Sequence, residues 1–322
     1  YGRSYTVITR KQIEERGYAT VQQALEAQPG ISINGTGPND RQVRIRGGEA
    51  NHTLILVDGV RVDAGSTAGY NLRSFDSALI ERIEIVRGPQ SVPFGSGASA
   101  GVINIVTREP SDGLQFGVSA EIGEGDKESF RIASGGSSGR FSLMASNLND
   151  NGFDVSGSGG EKDGVRSETI ISKGSLSITP VIELGYVARA AAFSTDRDDF
   201  DPRASDADGY VIDDATTNDQ FFERLGSLYT EIQSLRGGLV HRLSVDRTSN
   251  QSSASNDQQT VLWKYRIQAA LDESSVNLSQ HLVSVIAERK EDAENSSDNK
   301  RINESLALEY NGTSNNGVGF QL

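Results

Sequence analysis

The chain has no cysteine, seven prolines, one methionine and one tryptophan in 322 residues. Nowhere does it carry the run of about 18 consecutive apolar residues that a membrane-spanning helix needs. Without cysteine it has neither a disulfide scaffold nor a thiolate metal site. Cationic side chains are also short: 31 Lys and Arg face 44 Asp and Glu, a net charge of −13. A chain of that sign has no electrostatic reason to bind nucleic acid, whose affinity rests on neutralising phosphates. What is abundant is glycine, at 35 residues, well above the usual ~7%. Much glycine and little proline in a polar chain points to strands and turns.

Charge divides the chain in two. Residues 1–110 hold 12 basic and 11 acidic side chains, whereas 111–322 hold 19 and 33, so all the acidity lies in the second part. The first part reads as a small α+β domain. Tyr5–Ile8 is a short strand, and Thr9–Gln12 and Thr20–Gln23 each have the Thr-x-x-Gln form of a capping box, which predicts two short helices, the second stopped at Pro29-Gly30. Strand-like runs follow at Ile31–Ile33, Gln42–Arg46, Thr53–Val57, Ile80–Arg87 and Val102–Thr107, punctuated by Asp58-Gly59, Gly47-Gly48 and Gly88-Pro89.

From 111 onward the pattern changes to long strands of period two. In the clearest, Val261, Trp263, Tyr265, Ile267, Ala269 and Leu271 fall at every second position with mostly polar residues between them. Ten such strands and the start of an eleventh are predicted, including one over 276–289. Their connections alternate in length. Short links lie at Gly135–Gly139, Thr179-Pro180, Arg236–Gly238, Asp272–Ser275 and Asn311–Asn316; long polar ones lie at Asn149–Gly164, Thr195–Asp219, Thr248–Gln258 and Lys290–Arg301. That rhythm predicts a mainly β fold, a transmembrane antiparallel β-barrel with short turns at one end and long loops at the other. A soluble sandwich or solenoid, acting as an adhesin or binding module, is the competing reading.

Four motifs in the first part carry a resemblance. Gln42–Gly48 (QVRIRGG), Thr53–Val62 (TLILVDGVRV), Ile80–Ser91 (IERIEIVRGPQS) and Phe94–Arg108 (FGSGASAGVINIVTR) are similar, in order and spacing, to the plug domain of TonB-dependent outer-membrane receptors. Asn51-His52-Thr53-Leu54 running into Asp58–Arg61 most resembles the cobalamin transporters, with siderophore receptors next. The resemblance implies a plug domain over 1–110 and part of a barrel over 111–322. It implies a receptor in the Gram-negative outer membrane, in contact with lipid, taking up a scarce bulky nutrient, cobalamin first, by coupling to TonB. It implies no enzyme and no required cofactor. Family barrels have about 22 strands, too wide for side chains to fill, so a separate domain must close the lumen. Ten or eleven strands, and a start so close to the first strand, lead to the expectation of a fragment without the TonB-binding segment and about half the barrel.

The resemblance also nominates residues. The apical loops of the plug correspond to Asn34–Arg41 and Ala64–Asn71, which makes Asn39, Arg41, Ser66, Thr67, Tyr70 and Asn71 the candidates for substrate contact. Arg46, Glu81, Glu84 and Arg87 are the candidates for ion pairs within the plug or to the wall. Independently, Thr195–Asp219 carries nine Asp against Arg197 and Arg203. Closely spaced carboxylates repel unless solvated or bridged by a hard cation that takes six to eight oxygens, and cobalamin transporters order their external loops with calcium. Asp196, Asp198, Asp199, Asp201, Asp206 and Asp208 are therefore candidate calcium ligands, although Asp206–Gly209 matches only part of a calcium loop.

Other signals carry less. Gly97-Ala98-Ser99-Ala100-Gly101 has the Gly-x-Ser-x-Gly form of a hydrolase elbow, but strand formers follow where a helix is needed. His52, His241 and His281 show no ligand spacing.

Overall fold

The computed structural model describes residues 4–34, 42–62, 72, 75–90, 94, 97–123, 125–154, 156–157, 159–160, 162–196, 198–201, 203, 211–214, 216–253, 257–272, 275–294, 300–313 and 319–321. The N-terminal domain runs β1 (Ser4–Thr9), α1 (Arg10–Glu15), α2 (Val21–Glu26), β2 (Ile31–Asn34), β3 (Gln42–Ile45), β4 (Thr53–Val57), β5 (Val60–Arg61), β6 (Ile80–Arg87) and β7 (Gly101–Thr107). Five of these form a mixed sheet in the order β1-β6-β7-β4-β5, with β4 and β7 parallel and the rest antiparallel, and β2-β3 is a separate hairpin.

The helices start where their caps require. The Gln12 N–H donates to Thr9 Oγ1 while the Thr9 N–H donates to Gln12 Oε1, so both halves of the first box are made. In α2 the Gln23 N–H donates to Thr20 Oγ1, but Gln23 Oε1 reaches one residue further back, to the Ala19 N–H. Ile13, Val21, Ala24 and Leu25 turn inward and join the sheet residues Ile83, Ile85, Ile103 and Ile105 in one core.

The remainder is a single antiparallel sheet, here called the wall. Its strands are β8 (Gly113–Ile122), β9 (Gly125–Gly136), β10 (Gly139–Phe153), β11 (Asp163–Thr179), β12 (Ile182–Asp196), β15 (Asn218–Ser234), β16 (Leu239–Ser252), β17 (Gln258–Ala270), β18 (His281–Glu294), β19 (Lys300–Thr313) and the short β20 (Gly319–Gln321). Between β12 and β15, β13 (Asp199–Phe200) and β14 (Val211–Ile212) form a two-stranded pair within the acidic loop. The sequence expectation of ten long strands and the start of an eleventh holds. One boundary moves: β18 begins at His281, not near 276. The Asp272 carboxylate gathers the N–H groups of Gln280 and His281 with the Ser279 hydroxyl, and the Val276 N–H donates to Gly237 O of the neighbouring turn, so 275–280 closes a longer connection.

The two faces of the wall differ as period two demands. Ile170, Leu228, Leu243, Trp263, Tyr265, Leu306 and Leu308 are large apolar side chains left exposed on the outer face. The inner face carries Lys173, Arg189, Glu223, Ser227, Thr248, Thr260 and Lys290, all buried. This inversion of a water-soluble sheet is what lipid outside and a polar interior inside select. At the short-turn end the outer face holds two matched aromatic pairs: His241 Nδ1 lies 2.8 Å from Tyr265 Oη, and His281 Nδ1 2.6 Å from Tyr310 Oη, each with the rings stacked. Amphipathic rings in that position form the girdle expected at a membrane interface. Among the described residues no helix is long and apolar enough to cross a membrane.

Leu228 sits mid-strand in β15 and is 64% exposed. Changing it to arginine is expected to cost about 2–4 kcal/mol of stability in the bilayer, read as a lowered denaturant midpoint for the wall in lipid vesicles.

Candidate functional site

The inner face of the wall is ordered in rows, because partners in register across successive strands point the same way. One row on the long-loop side is Ser146, Thr169, Ala191, Glu223 and Asn250. The next row is Met144, Ile171, Arg189, Leu225 and Thr248. Then come Ser142, Lys173, Val187, Ser227 and Asp246, and, one step nearer the short turns, Arg140, Ser175, Gly185, Tyr229 and Ser244.

The N-terminal domain seats on the first three rows. Met144, Ile171, Val187 and Leu225 belong to the same buried cluster as the core of that domain, so part of the seat is a continuation of its hydrophobic interior. Beside this apolar strip the buried Arg189 pairs with Glu223, and its guanidinium lies 4.2 Å from the Phe75 ring centre. That contact combines a cation–π attraction with the desolvated pair. At the long-loop end, Thr248 Oγ1 donates to Arg61 O at 2.6 Å and Asn250 Nδ2 to Val62 O at 2.9 Å.

The most concentrated contact is Lys173. Its Nζ donates to Thr107 O at 2.8 Å, Asp58 Oδ1 at 3.1 Å and Glu109 Oε1 at 3.3 Å, so all three ammonium donors meet oxygens of the N-terminal domain or the segment that leaves it. The Lys173 and Asp58 side chains are 9% and 6% exposed. Asp58 is placed by its turn, with φ +48°, a conformation Asp tolerates better than most residues. Its carboxylate also accepts the Thr107 N–H at 3.0 Å and the Thr107 hydroxyl at 2.6 Å. Asn104 Oδ1 accepts the Gly59 N–H, and Asn104 Nδ2 donates to Glu84. The Asp58-Gly59 motif thus ties β4, β7 and the wall together. On its short-turn side a cavity of about 740 Å³ separates the domain from the wall.

The ion-pair candidates do not form one set. Glu84 pairs with Arg82, a partner the sequence reading did not name, at 2.7 Å. Arg87 is held by neutral oxygens, donating to Thr6 Oγ1 at 2.6 Å and Pro29 O at 3.1 Å. Burial and the nearby Arg46 charge both lower its pKa from the ordinary guanidinium value. Period two explains the arrangement: Ile83, Ile85 and Arg87 share the buried face of β6, while Arg82 and Glu84 share the other. Glu81 sits at the register irregularity between Ile80 and Arg82, where it acts on the Arg108 charge. Arg46 is exposed, in a turn with φ +51°.

The substrate candidates Asn39, Arg41, Ser66, Thr67, Tyr70 and Asn71 lie outside the described residues, as do Asp206 and Asp208. Of the other acidic candidates, Asp196 accepts from Asn218 Nδ2, Asp198 Oδ1 accepts the Asp214 N–H, and Asp201 accepts the Arg203 N–H. Asp199 pairs through its backbone with Ile212. Asp214 takes the hydroxyls of Thr216 and Thr217, which hold its pKa down at about 2. Among the described residues no three acidic or imidazole groups converge as a metal site. Ser99 leads into strand β7, not into a helix, so the elbow geometry is not formed.

A small mixed α+β domain seated on the polar face of a sheet whose other face is apolar defines a plugged membrane barrel wall. Residues 2–102 match the family described as TonB-dependent Receptor Plug Domain. The whole chain shares its fold with solved receptors. The siderophore receptor PirA from Pseudomonas aeruginosa matches at 21% identity and TM-score 0.63, covering 95% of this chain and 54% of that one. FpvA of P. aeruginosa, solved with heterologous pyoverdines, matches at 14% and 0.73, covering 97% and 49%. The ferric yersiniabactin uptake receptor FyuA from Yersinia pestis matches at 14% and 0.68, covering 99% and 60%. The chain therefore spans about half the length of the solved structures it matches.

Proposed function

We propose that the chain is the plug and part of the wall of a TonB-dependent outer-membrane receptor that takes up a ferric siderophore. The observation that carries the reading is the seat: a plug-family domain whose core runs into Met144, Ile171, Val187 and Leu225 of a sheet with an apolar outer face. Receptors of the same fold described above are siderophore or ferric-siderophore receptors. That supports the siderophore reading over cobalamin, which the Asn51–Leu54 run suggested and which none of the three descriptions mentions. The partners in this proposal are TonB, outer-membrane lipid and the ferric chelate, and the protein acts as a transporter, not an enzyme. Calcium ordering of the 195–219 loop belongs to the same proposal. A calorimetric titration of the folded receptor with calcium tests it, and no heat together with unchanged ligand affinity in Asp198→Asn would end it.

For the ligand, the full reading frame purified in detergent is titrated with ferric catecholate and hydroxamate chelates, their iron-free forms and cyanocobalamin. Saturable binding of a ferric chelate, at least tenfold tighter than its iron-free form, is the expected result. Binding of cyanocobalamin alone would overturn the siderophore reading.

A further inference from the structure

Two neighbouring connections at the short-turn end are tied into one body: residues 235–238 between β15 and β16, and residues 271–272 and 275–280 between β17 and β18. The Val276 N–H donates to Gly237 O at 2.8 Å, the Ala270 N–H to Gly238 O at 2.9 Å and the Leu271 N–H to His281 O at 2.9 Å. Ser275 packs on Gly237, where a Cβ would lie 3.3 Å from its Oγ. This body leaves three leucines in the open: Leu235 is 76% exposed, Leu271 60% and Leu278 70%. At its tip two successive non-glycine residues are left-handed, Leu235 with φ +50° and Arg236 with φ +59°. The Cβ of leucine disfavours that region, so the fold holds a large apolar side chain outward in a conformation it would not adopt by itself. The turn between β9 and β10 is different in kind, with the exposed Ser137 and Ser138 at its tip.

The neighbours of these leucines indicate what covers them. Leu271 continues by one period-two step the outer-face row of Tyr265, Ile267 and Ala269 in β17. Its bond to His281 O sets it level with the His281–Tyr310 ring pair. Gly312 makes room for that pair, since a Cβ there would clash with both the Tyr310 hydroxyl and His281 Nδ1. The leucines are thus continuous with an apolar face and a ring pair of the kind that stands at a membrane boundary. Resting on the outer-membrane reading, we propose that the two joined turns are an anchor seated in the leaflet at the short-turn end. Leu235, Leu271 and Leu278 meet phospholipid acyl chains just below the headgroups. Arg236, which has no partner among the described residues, extends its guanidinium to the phosphates, as long cationic side chains do at an interface. The anchor lies in one leaflet without crossing it. It fastens the β15–β18 sector of the wall to that leaflet, while the Ser137-Ser138 turn stays in water.

The full-length receptor, with any cysteine in the remaining sequence replaced, is made as Leu278→Cys, Leu235→Cys, Ser138→Cys and Leu228→Cys. Each variant is labelled with the fluorophore NBD and placed in lipid discs of phosphatidylethanolamine and phosphatidylglycerol, which leave both membrane surfaces open to water. Quenching is measured with iodide in the water and with lipids carrying a nitroxide on the headgroup or deep in the acyl chain. The mid-wall label at 228 reports the membrane reading by itself, because a lipid-facing wall requires quenching there by the deep nitroxide and protection from iodide. Labels at 278 and 235 are expected to be quenched by the headgroup nitroxide at least threefold more strongly than the label at 138, and by iodide at least threefold less. Iodide quenching at 278 equal to that at 138 would overturn the anchor. So would protection at 278 from iodide and nitroxide alike, the mark of a second copy or another protein over the turns. A label at 228 open to iodide would overturn the membrane reading and the anchor with it.

Discussion

Asp58→Ala is expected to lower the stability of the seated plug by about 3–5 kcal/mol, the range for removing one partner of a buried charge pair. The substitution leaves the buried Lys173 ammonium with only Thr107 O and the half-exposed Glu109. It also strips the Thr107 N–H and hydroxyl of their acceptor and puts alanine where φ is +48°. Asp58→Asn keeps the shape and the turn but not the charge, and is expected to cost about 1.5–3 kcal/mol, the worth of hydrogen bonds to a charged group. In the double variant Asp58→Asn/Lys173→Met the loss is expected to be smaller than the sum of the two single losses, because no uncompensated buried charge remains. Denaturant titration of the full-length receptor in detergent, following the plug transition, gives all four values. Additive losses would show that the two side chains do not act as a pair.

Gly101→Ala is expected to be as damaging without touching any charge. A Cβ on Gly101 would lie 2.4 Å from Val86 O and 2.8 Å from Ile45 Cδ1, with φ at +158°. Gly101 is in register with Thr53 on one side and Arg87 on the other, so both flanking strands fix its backbone and neither can retreat. Overpacking and the backbone conformation together are expected to cost about 2–5 kcal/mol, seen as a plug that unfolds at lower denaturant while the wall transition stays put. Gly117→Ala in β8 is the control. There the nearest atom is Arg131 Cβ at 4.0 Å, and a change within about 0.5 kcal/mol is expected.

What could be read from the sequence follows from the range of the interactions involved. The alternation of Val261, Trp263, Tyr265 and Ile267 is set by one strand's own pleat, and it identified the apolar face before any neighbour was known. The Thr9 and Thr20 caps and the Asp58-Gly59 turn are equally local, and each stands where expected. The Lys173 junction joins residues 115 and 66 positions apart, and nothing local marks Lys173 among the polar residues of β11. Arg87, nominated for an ion pair, meets neutral oxygens among the described residues for a different reason. The family pattern supplied its chemistry, but the face of β6 it occupies decides its partners, and that face meets Thr6 and Pro29. The histidines illustrate the same limit. His241 and His281 look isolated in sequence, yet each finds a tyrosine 24 or 29 residues away on the next strand. The start of β18 was missed because the Asp272 carboxylate, not side-chain periodicity, ends that turn.

The most direct test of the account is energised uptake. The full reading frame is expressed in Gram-negative cells that lack their own receptors for the chelate found by titration, and radioactive iron is followed into the cell in strains with and without TonB. The account predicts saturable accumulation that disappears when TonB is absent, while chelate binding to the cell surface persists. Accumulation at the same rate in both strains, or surface binding with no accumulation in either, would contradict it.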